Sequence, residues 1–168
     1  MTFAIGFSVE VDPEFPGDGG EPPERIPVDL PRIRAVLRVT PRDGASWDVA
    51  VGTSGWWRTP IPSAIAVLSD GDAYLLDTVQ RGVLSRVSGV LRIREDELHD
   101  QLLLTTPTDL IAFGADGIRW RNDLLGRADL KVDAVLRDRI VLSDYAPAAE
   151  RRELAVDPVS GRSLRGRR

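Results

Sequence analysis

The chain has 168 residues, 42% of them hydrophobic and 29% charged, close to the globular norm and long enough for one domain with a real core. With no cysteine it offers no disulfide, thiolate metal site or thiol nucleophile, which fits a reducing compartment. Its 22 basic residues, all but Lys131 arginine, stand against 26 acidic ones for a net charge of −4, so the whole molecule weakly repels nucleic acid.

The start, "MTFAIGFSVEVDPEF", lacks the basic region and apolar core of a signal peptide. No run approaches the roughly 18 apolar residues of a membrane helix. The expectation is a cytoplasmic protein with neither membrane nor nucleic acid as partner.

Phe3, Ile5, Phe7, Val9 and Val11 alternate with small or polar residues, the period of two of a half-buried strand. "DPEFPGDGGEPPERIPVDLP" follows, an acidic Pro/Gly-rich stretch over residues 12–31 whose prolines exclude a regular element. A connection this long is either a functional loop or a tether for the first strand. Alternation resumes with Ile33, Ala35, Leu37 and Val39, ending at Pro41. Asp43-Gly44 then turns the chain back through Trp47, Val49 and Val51. The same design recurs about Asp70-Gly71, between Ala64–Leu68 and Ala73–Leu76, and about Asp116-Gly117.

Each Asp-Gly pair is followed three residues after its glycine by an aromatic, Trp47, Tyr74 or Trp120, placed to start the return strand and pack across to its partner. The intervals between the pairs are unequal, so this is a recurring hairpin design, not a tandem repeat. The stretch from Gly82 to Leu98 lies close to helical spacing but carries Gly82 and Gly89. A strand over Val87–Arg94 is expected there, with a helical turn around Glu95–Asp100. Leu130, Val132, Ala134 and Leu136 alternate again, then a turn at Arg137–Arg139 leads to a buried strand, Ile140–Leu142. Leu154 and Val156 precede a turn over Pro158–Gly161 and a short last strand at Leu164. A basic tail spans residues 162–168.

The fold class expected is all-β: a single domain over residues 1–168, a meander of antiparallel hairpins forming a sandwich, an open barrel or a propeller-like fragment. "LIAFGADGIRWRND", "RIVLSD" and "RRELAVDPVSGRSL" are similar to the blade pattern of quinoprotein-type β-propellers, whose Asp-x-x-x-Gly-[Arg/Lys] corner corresponds to Asp157–Arg162. With "VAVGTSGWWRTPIPSAIAVLSDGDAYLLDT" the chain also resembles a group of small bacterial all-β proteins. The count of about ten to twelve strands falls short of four blades of four.

"GTSGWWRTPIPS" joins Trp56, Trp57 and Arg58, residue types enriched at binding hot spots because they supply rigid area and forked hydrogen bonding. On a strand one tryptophan points to each face. The bland reading is that Trp57 caps the core while Trp56 packs on a loop; the functional one makes Trp56, Trp57 and Arg58 a recognition loop. His99 sits among Glu95, Asp96, Glu97 and Asp100, a cluster read as a solvated turn in preference to a metal site. No Walker loop, dinucleotide fingerprint or nucleophile elbow is present, and no spacing singles out a carboxylate pair. No cofactor, metal or catalytic residue is assigned. The function expected is a non-enzymatic protein-interaction module, for instance an immunity or antitoxin-like protein, acting through the Trp56–Arg58 loop and the acidic loop on another protein. A small hydrolase or lyase using Asp or Glu in a cleft, and a structural subunit, stand as alternatives. Self-association stays open.

Overall fold

The structure is a computed structural model that describes residues 3–12, 23–27, 32–53, 55–123, 130–143 and 153–164. Among the described residues sixteen strands form four sheets of four and there is no helix, so the all-β expectation holds. The count exceeds the ten to twelve read from the sequence because several strands are only two or three residues long, too short for alternation to register. By contact the chain divides into two compact units, Ala4–Ser88 and Met1–Phe3 with Gly89–Arg168.

The Ala4–Ser88 unit holds β1 (Phe7–Val11), β2 (Glu24–Arg25), β3 (Ala35–Pro41) and β4 (Trp47–Val51), ordered β1-β3-β4-β2. Its second sheet runs in sequence order through β5 (Trp56–Arg58), β6 (Ala64–Ser69), β7 (Asp72–Asp77) and β8 (Val83–Val87). Neighbours are antiparallel except β2 and β4, which run parallel over two residues. Leu37, Val39, Val49 and Val51 of one sheet pack with Ile65, Val67, Tyr74 and Leu76 of the other in a single apolar cluster. Burying each such aliphatic chain stabilises the fold by about 1.5–3 kcal/mol, so the period-two pattern selects which face of each sheet turns inward. β1 starts at Phe7, not Phe3. The Gly6 carbonyl still accepts from Arg42 N–H at 2.7 Å, next to the Phe7–Pro41 pair, whereas the Gly6 N–H donates away from β3, to the Pro62 carbonyl at 2.9 Å.

The second unit holds β9 (Arg92–Asp96), β10 (Gln101–Thr105), β11 (Asp109–Gly114) and β12 (Gly117–Asp123) as one meander. A second meander is formed by β13 (Lys131–Val135), β14 (Ile140–Ser143), β15 (Glu153–Val156) and β16 (Ser163–Leu164). β10 and β11 are buried along their whole length, which is why "QLLLT" and "DLIAFG" read as continuous apolar runs and not as alternation. Leu103, Leu110, Ala112 and Trp120 pack with Leu130, Val132, Ile140, Leu142 and Val156.

The three Asp-Gly turns share their aromatic but not their geometry. Asp70 (φ 51°) and Gly71 (φ 79°) are both left-handed and join Ser69 to its partner Asp72, a two-residue hairpin of the mirror-image type. At the third turn only Gly117 has positive φ, and it pairs with Gly114 next to a bulge that shifts the register between Ala112 and Phe113. Neither Asp43 nor Gly44 has positive φ; that loop is longer and is tied by Thr40 Oγ1 and Ser46 Oγ at 2.9 Å. The aromatics do what the spacing predicts: Trp47 faces Val39, Tyr74 faces Val67 and Trp120 faces Ala112, all three buried.

The strand expected over Val87–Arg94 is two strands. β8 ends at Val87 and β9 begins at Arg92, with Gly89 at φ 70° between them, a left-handed position that breaks the extended chain. Glu95 and Asp96 belong to β9, and the turn that follows passes through Asp100 at φ 54°, so it is not helical.

Candidate functional site

β5 is the edge strand of its sheet, three residues paired to β6 as Trp56 with Val67, Trp57 with Ala66 and Arg58 with Ile65. All three side chains are half-buried. The pairing puts Trp56 on the face of buried Val67, where it packs against the core of its unit and meets Phe7 edge-on, ring centroids 6.3 Å apart at 64°. Trp57 points to the opposite face, across from the small Ala66. Its ring folds back over Gly55, where an added Cβ would come within 2.8 Å of it. The roles in the bland sequence reading are thus changed: Trp56 packs on the core, and Trp57 lies on the opposite face with the buried Ala66 and Leu75, itself partly exposed. Arg58, two residues from Trp56, stands on the inner-face side of the strand, at its end. The loop before β5 is shaped by Gly55 N–H donating to Thr53 Oγ1 at 3.3 Å.

The two ends of the acidic stretch that are described are both fixed: Asp12 to β3 of the first sheet, and Ile26 to β4 through its N–H and to β6 of the second sheet through its carbonyl. Asp12 Oδ1 accepts from Val36 N–H at 2.9 Å, and Ile26 is buried, its carbonyl accepting from Ser69 Oγ at 2.6 Å. Residues 13–22 and 28–31, most of this predicted binding loop, lie outside the described residues, as do residues 165–168 of the basic tail.

The His99 cluster is not a solvated turn. The Asp96 side chain is 0% exposed and that of His99 12%. His99 Nδ1 lies 2.9 Å from both Asp96 carboxylate oxygens, and Nε2 lies 3.1 Å from the Arg137 carbonyl. Each ring nitrogen faces an oxygen acceptor, so neither stands open to take a proton from a substrate. Gln101 Nε2 donates to Asp96 Oδ2 at 2.8 Å and to the Pro158 carbonyl at 3.2 Å, and Trp120 Nε1 donates to the same carbonyl at 2.9 Å. Arg119 donates to the His99 carbonyl at 2.6 Å. This network joins β9, β10 and β12 to the β15–β16 turn. That turn is built by Asp157, whose Oδ1 accepts from Val159 N–H at 3.0 Å and Ser160 N–H at 2.7 Å. The Ser160 backbone N–H and hydroxyl hold the Asp157 carboxyl below the usual carboxylate range.

The other buried carboxylates are likewise tied. Asp109 accepts from Arg121, Thr106 and Thr108, the Arg121 guanidinium first among the causes that lower its pKa. Asp72 accepts from Arg86 at 2.6 Å. Among the described residues, no group of three or more His, Asp or Glu side chains comes together to hold a metal ion. No described helix is long and apolar enough to cross a membrane.

No protein-family model matches the chain, and no curated protein does. In structure it is similar to a solved eukaryotic initiation factor, with a TM-score of 0.51 at 9% sequence identity. The match covers 78% of this chain and 37% of that one, so the chain spans little more than a third of the length of the protein it matches. The likeness is one of fold.

Proposed function

We propose that the chain is a non-enzymatic protein-interaction module whose contact centres on Trp57, with Arg58 beside it on β5. The observation that carries this reading is the division of the adjacent tryptophans. Trp56 anchors β5 to the core, and Trp57 is held on the opposite face of an edge strand, partly exposed. A large aromatic fixed in this way offers contact area at small entropic cost. Arg58, the next residue along β5, has its side chain toward the face opposite that of Trp57, at the strand end, and joins the contact at its rim. In its most concrete form the partner is a basic protein met by the acidic stretch over residues 12–31, as in an immunity or antitoxin pair. The commitment of Asp72, Asp96, Asp109 and His99 to structural partners favours binding over a carboxylate-based hydrolase or lyase.

The test is an affinity pull-down with wild type and a Trp57→Ala, Arg58→Ala double variant, each checked for an unchanged thermal midpoint. Trp56 is left in place because its loss would damage the core. A partner held by wild type, lost at least tenfold by the variant, and cross-linked through a photoreactive residue at position 57 is the expected result. A partner retained equally by both proteins overturns the reading.

A further inference from the structure

The Gly89–Arg168 unit contains a second feature, independent of β5. A cavity of about 200 Å³ lies between β9, β10 and β13, lined by Arg92, Arg94, Lys131, Leu103, Val132 and Thr105, with Ile93 between the two arginines in sequence and paired to Leu104. Strand pairing explains the convergence. Arg92 is opposite Thr105 and Arg94 opposite Leu103, so all four share the face of their sheet that carries Leu103 into the core with Leu130 and Val132.

The two guanidiniums are held in place by backbone. Arg92 Nη1 donates to the Leu130 carbonyl at 3.2 Å, and Arg94 Nη1 donates to the Val132 carbonyl at 2.5 Å. These carbonyls belong to the edge of the β13 sheet, so the arginines also cover an exposed strand edge. That structural duty leaves two facts unexplained. The first is the open volume beside them. The second is the Thr105 hydroxyl: Thr105 is 2% exposed, and its Oγ1 is a buried side-chain oxygen with no hydrogen-bond partner among the described residues. Buried hydroxyls are ordinarily paired.

We propose that this cavity binds a small organic carboxylate. Arg94 spends one N–H group on Val132, and a guanidinium has more to give to a carboxylate. The Thr105 hydroxyl donates to the same group, and the walls of Leu103 and Val132 take a short aliphatic chain. Three cations line the site, and Lys131 Nζ is 3.4 Å from Asp133 Oδ1. The volume lies below the roughly 300–1,000 Å³ of pockets for drug-sized ligands, which sets the ligand at a few heavy atoms.

The experiment is an amide chemical-shift titration of the full chain with sodium isobutyrate, with isobutyramide as the neutral isostere and inorganic phosphate as the plain anion. Saturable shifts of Arg92, Arg94, Thr105 and Val132 with isobutyrate, at least tenfold weaker with either comparator, are expected. Thr105→Val separates the ligand role from a structural one. Losing an unpaired buried hydroxyl for a methyl raises the thermal midpoint of the free protein while isobutyrate affinity falls about tenfold. Arg94→Gln is expected to lose binding as well. Absent or non-saturable shifts, isobutyramide or phosphate binding as tightly as isobutyrate, or a Thr105→Val variant that binds normally would each overturn the proposal.

Discussion

The two compact units solve the same problem with different chemistry. In each, an indole on the return strand of one sheet reaches a backbone carbonyl at a turn or strand end of the other: Trp47 Nε1 to Thr78 at 2.9 Å, and Trp120 Nε1 to Pro158 at 2.9 Å. Around that shared device the Ala4–Ser88 unit satisfies buried backbone with small hydroxyls. Ser69 Oγ accepts from Gly52 N–H at 2.7 Å and donates to Ile26, Thr78 Oγ1 donates to Ser63 at 2.8 Å, and Thr59 Oγ1 donates to the Ile61 carbonyl at 2.8 Å with the Ala64 carbonyl 3.1 Å away. The second unit relies on charged and amide side chains, Arg92, Arg94, Asp96, His99 and Gln101, the last three joined in a connected network. A hydroxyl closes a short gap at little desolvation cost, whereas a guanidinium or carboxylate spans more but must be fully paired. The difference makes the second unit the more sensitive to loss of one partner and to acid.

Four substitution experiments sharpen that contrast. Trp47→Ala and Trp120→Ala each remove a buried ring and should cost about 3–5 kcal/mol in denaturant unfolding. The Phe variants separate ring from hydrogen bond, and Trp120→Phe should cost less than Trp47→Phe because the Pro158 carbonyl keeps Gln101 as a donor. Equal losses would mean that the shared carbonyl confers no redundancy.

Asp96→Ala leaves His99 and Gln101 without their carboxylate and should cost about 3 kcal/mol. Ser69→Ala strands one backbone N–H and one carbonyl and should cost about 1–3 kcal/mol. Equilibrium unfolding of both variants ranks the charged solution against the hydroxyl one.

A smaller effect distinguishes the turns. Gly71→Ala places a side chain at φ 79° and should cost about 1–2 kcal/mol. Gly44→Ala, where an added Cβ meets only the Pro41 ring at 3.5 Å, should change the midpoint by less than about 0.5 kcal/mol. A large loss at Gly44 would contradict the turn geometries described above.

Acid supplies the last comparison. The Asp109 carboxyl, held down chiefly by Arg121, has a lower pKa in the folded chain than its usual value of about 3.9. Such a group stabilises the fold fully above the unfolded pKa, and that contribution disappears as pH falls through the folded value. Unfolding midpoints measured from pH 6 down to pH 2 should therefore fall below about pH 4, and Asp109→Asn should flatten part of that decline.

Much of this architecture is legible in the sequence where one strand faces one core. Alternation marks Ala35–Val39 and Trp47–Val51 well but breaks after Val132, where a bulge shifts the register and Leu136 is exposed, and the Asp-Gly-x-x-aromatic spacing correctly places three core aromatics. Local pattern fails where long-range pairing decides. Val83, Leu84, Val87, Val90 and Leu91 imitate a helix, yet Gly89 divides two strands that pair in different sheets. The assignment of Trp56 and Trp57 to faces depends on the register with Val67 and Ala66, which no local spacing encodes. The Asp96–His99 half of the buried network is visible as neighbours three residues apart. Its completion by the Pro158 carbonyl, 57 residues beyond Gln101, is not. Arg92, Arg94 and Lys131 likewise read as ordinary surface charge until β9 and β13 meet.

The most direct test of the central claim is amide hydrogen exchange of the full chain, free and in complex with the partner captured through Trp57. New protection concentrated on Trp56–Arg58 and the adjoining Gly55 is the result predicted. Protection elsewhere, with β5 exchanging as it does in the free chain, would contradict the claim that this edge strand is the binding surface.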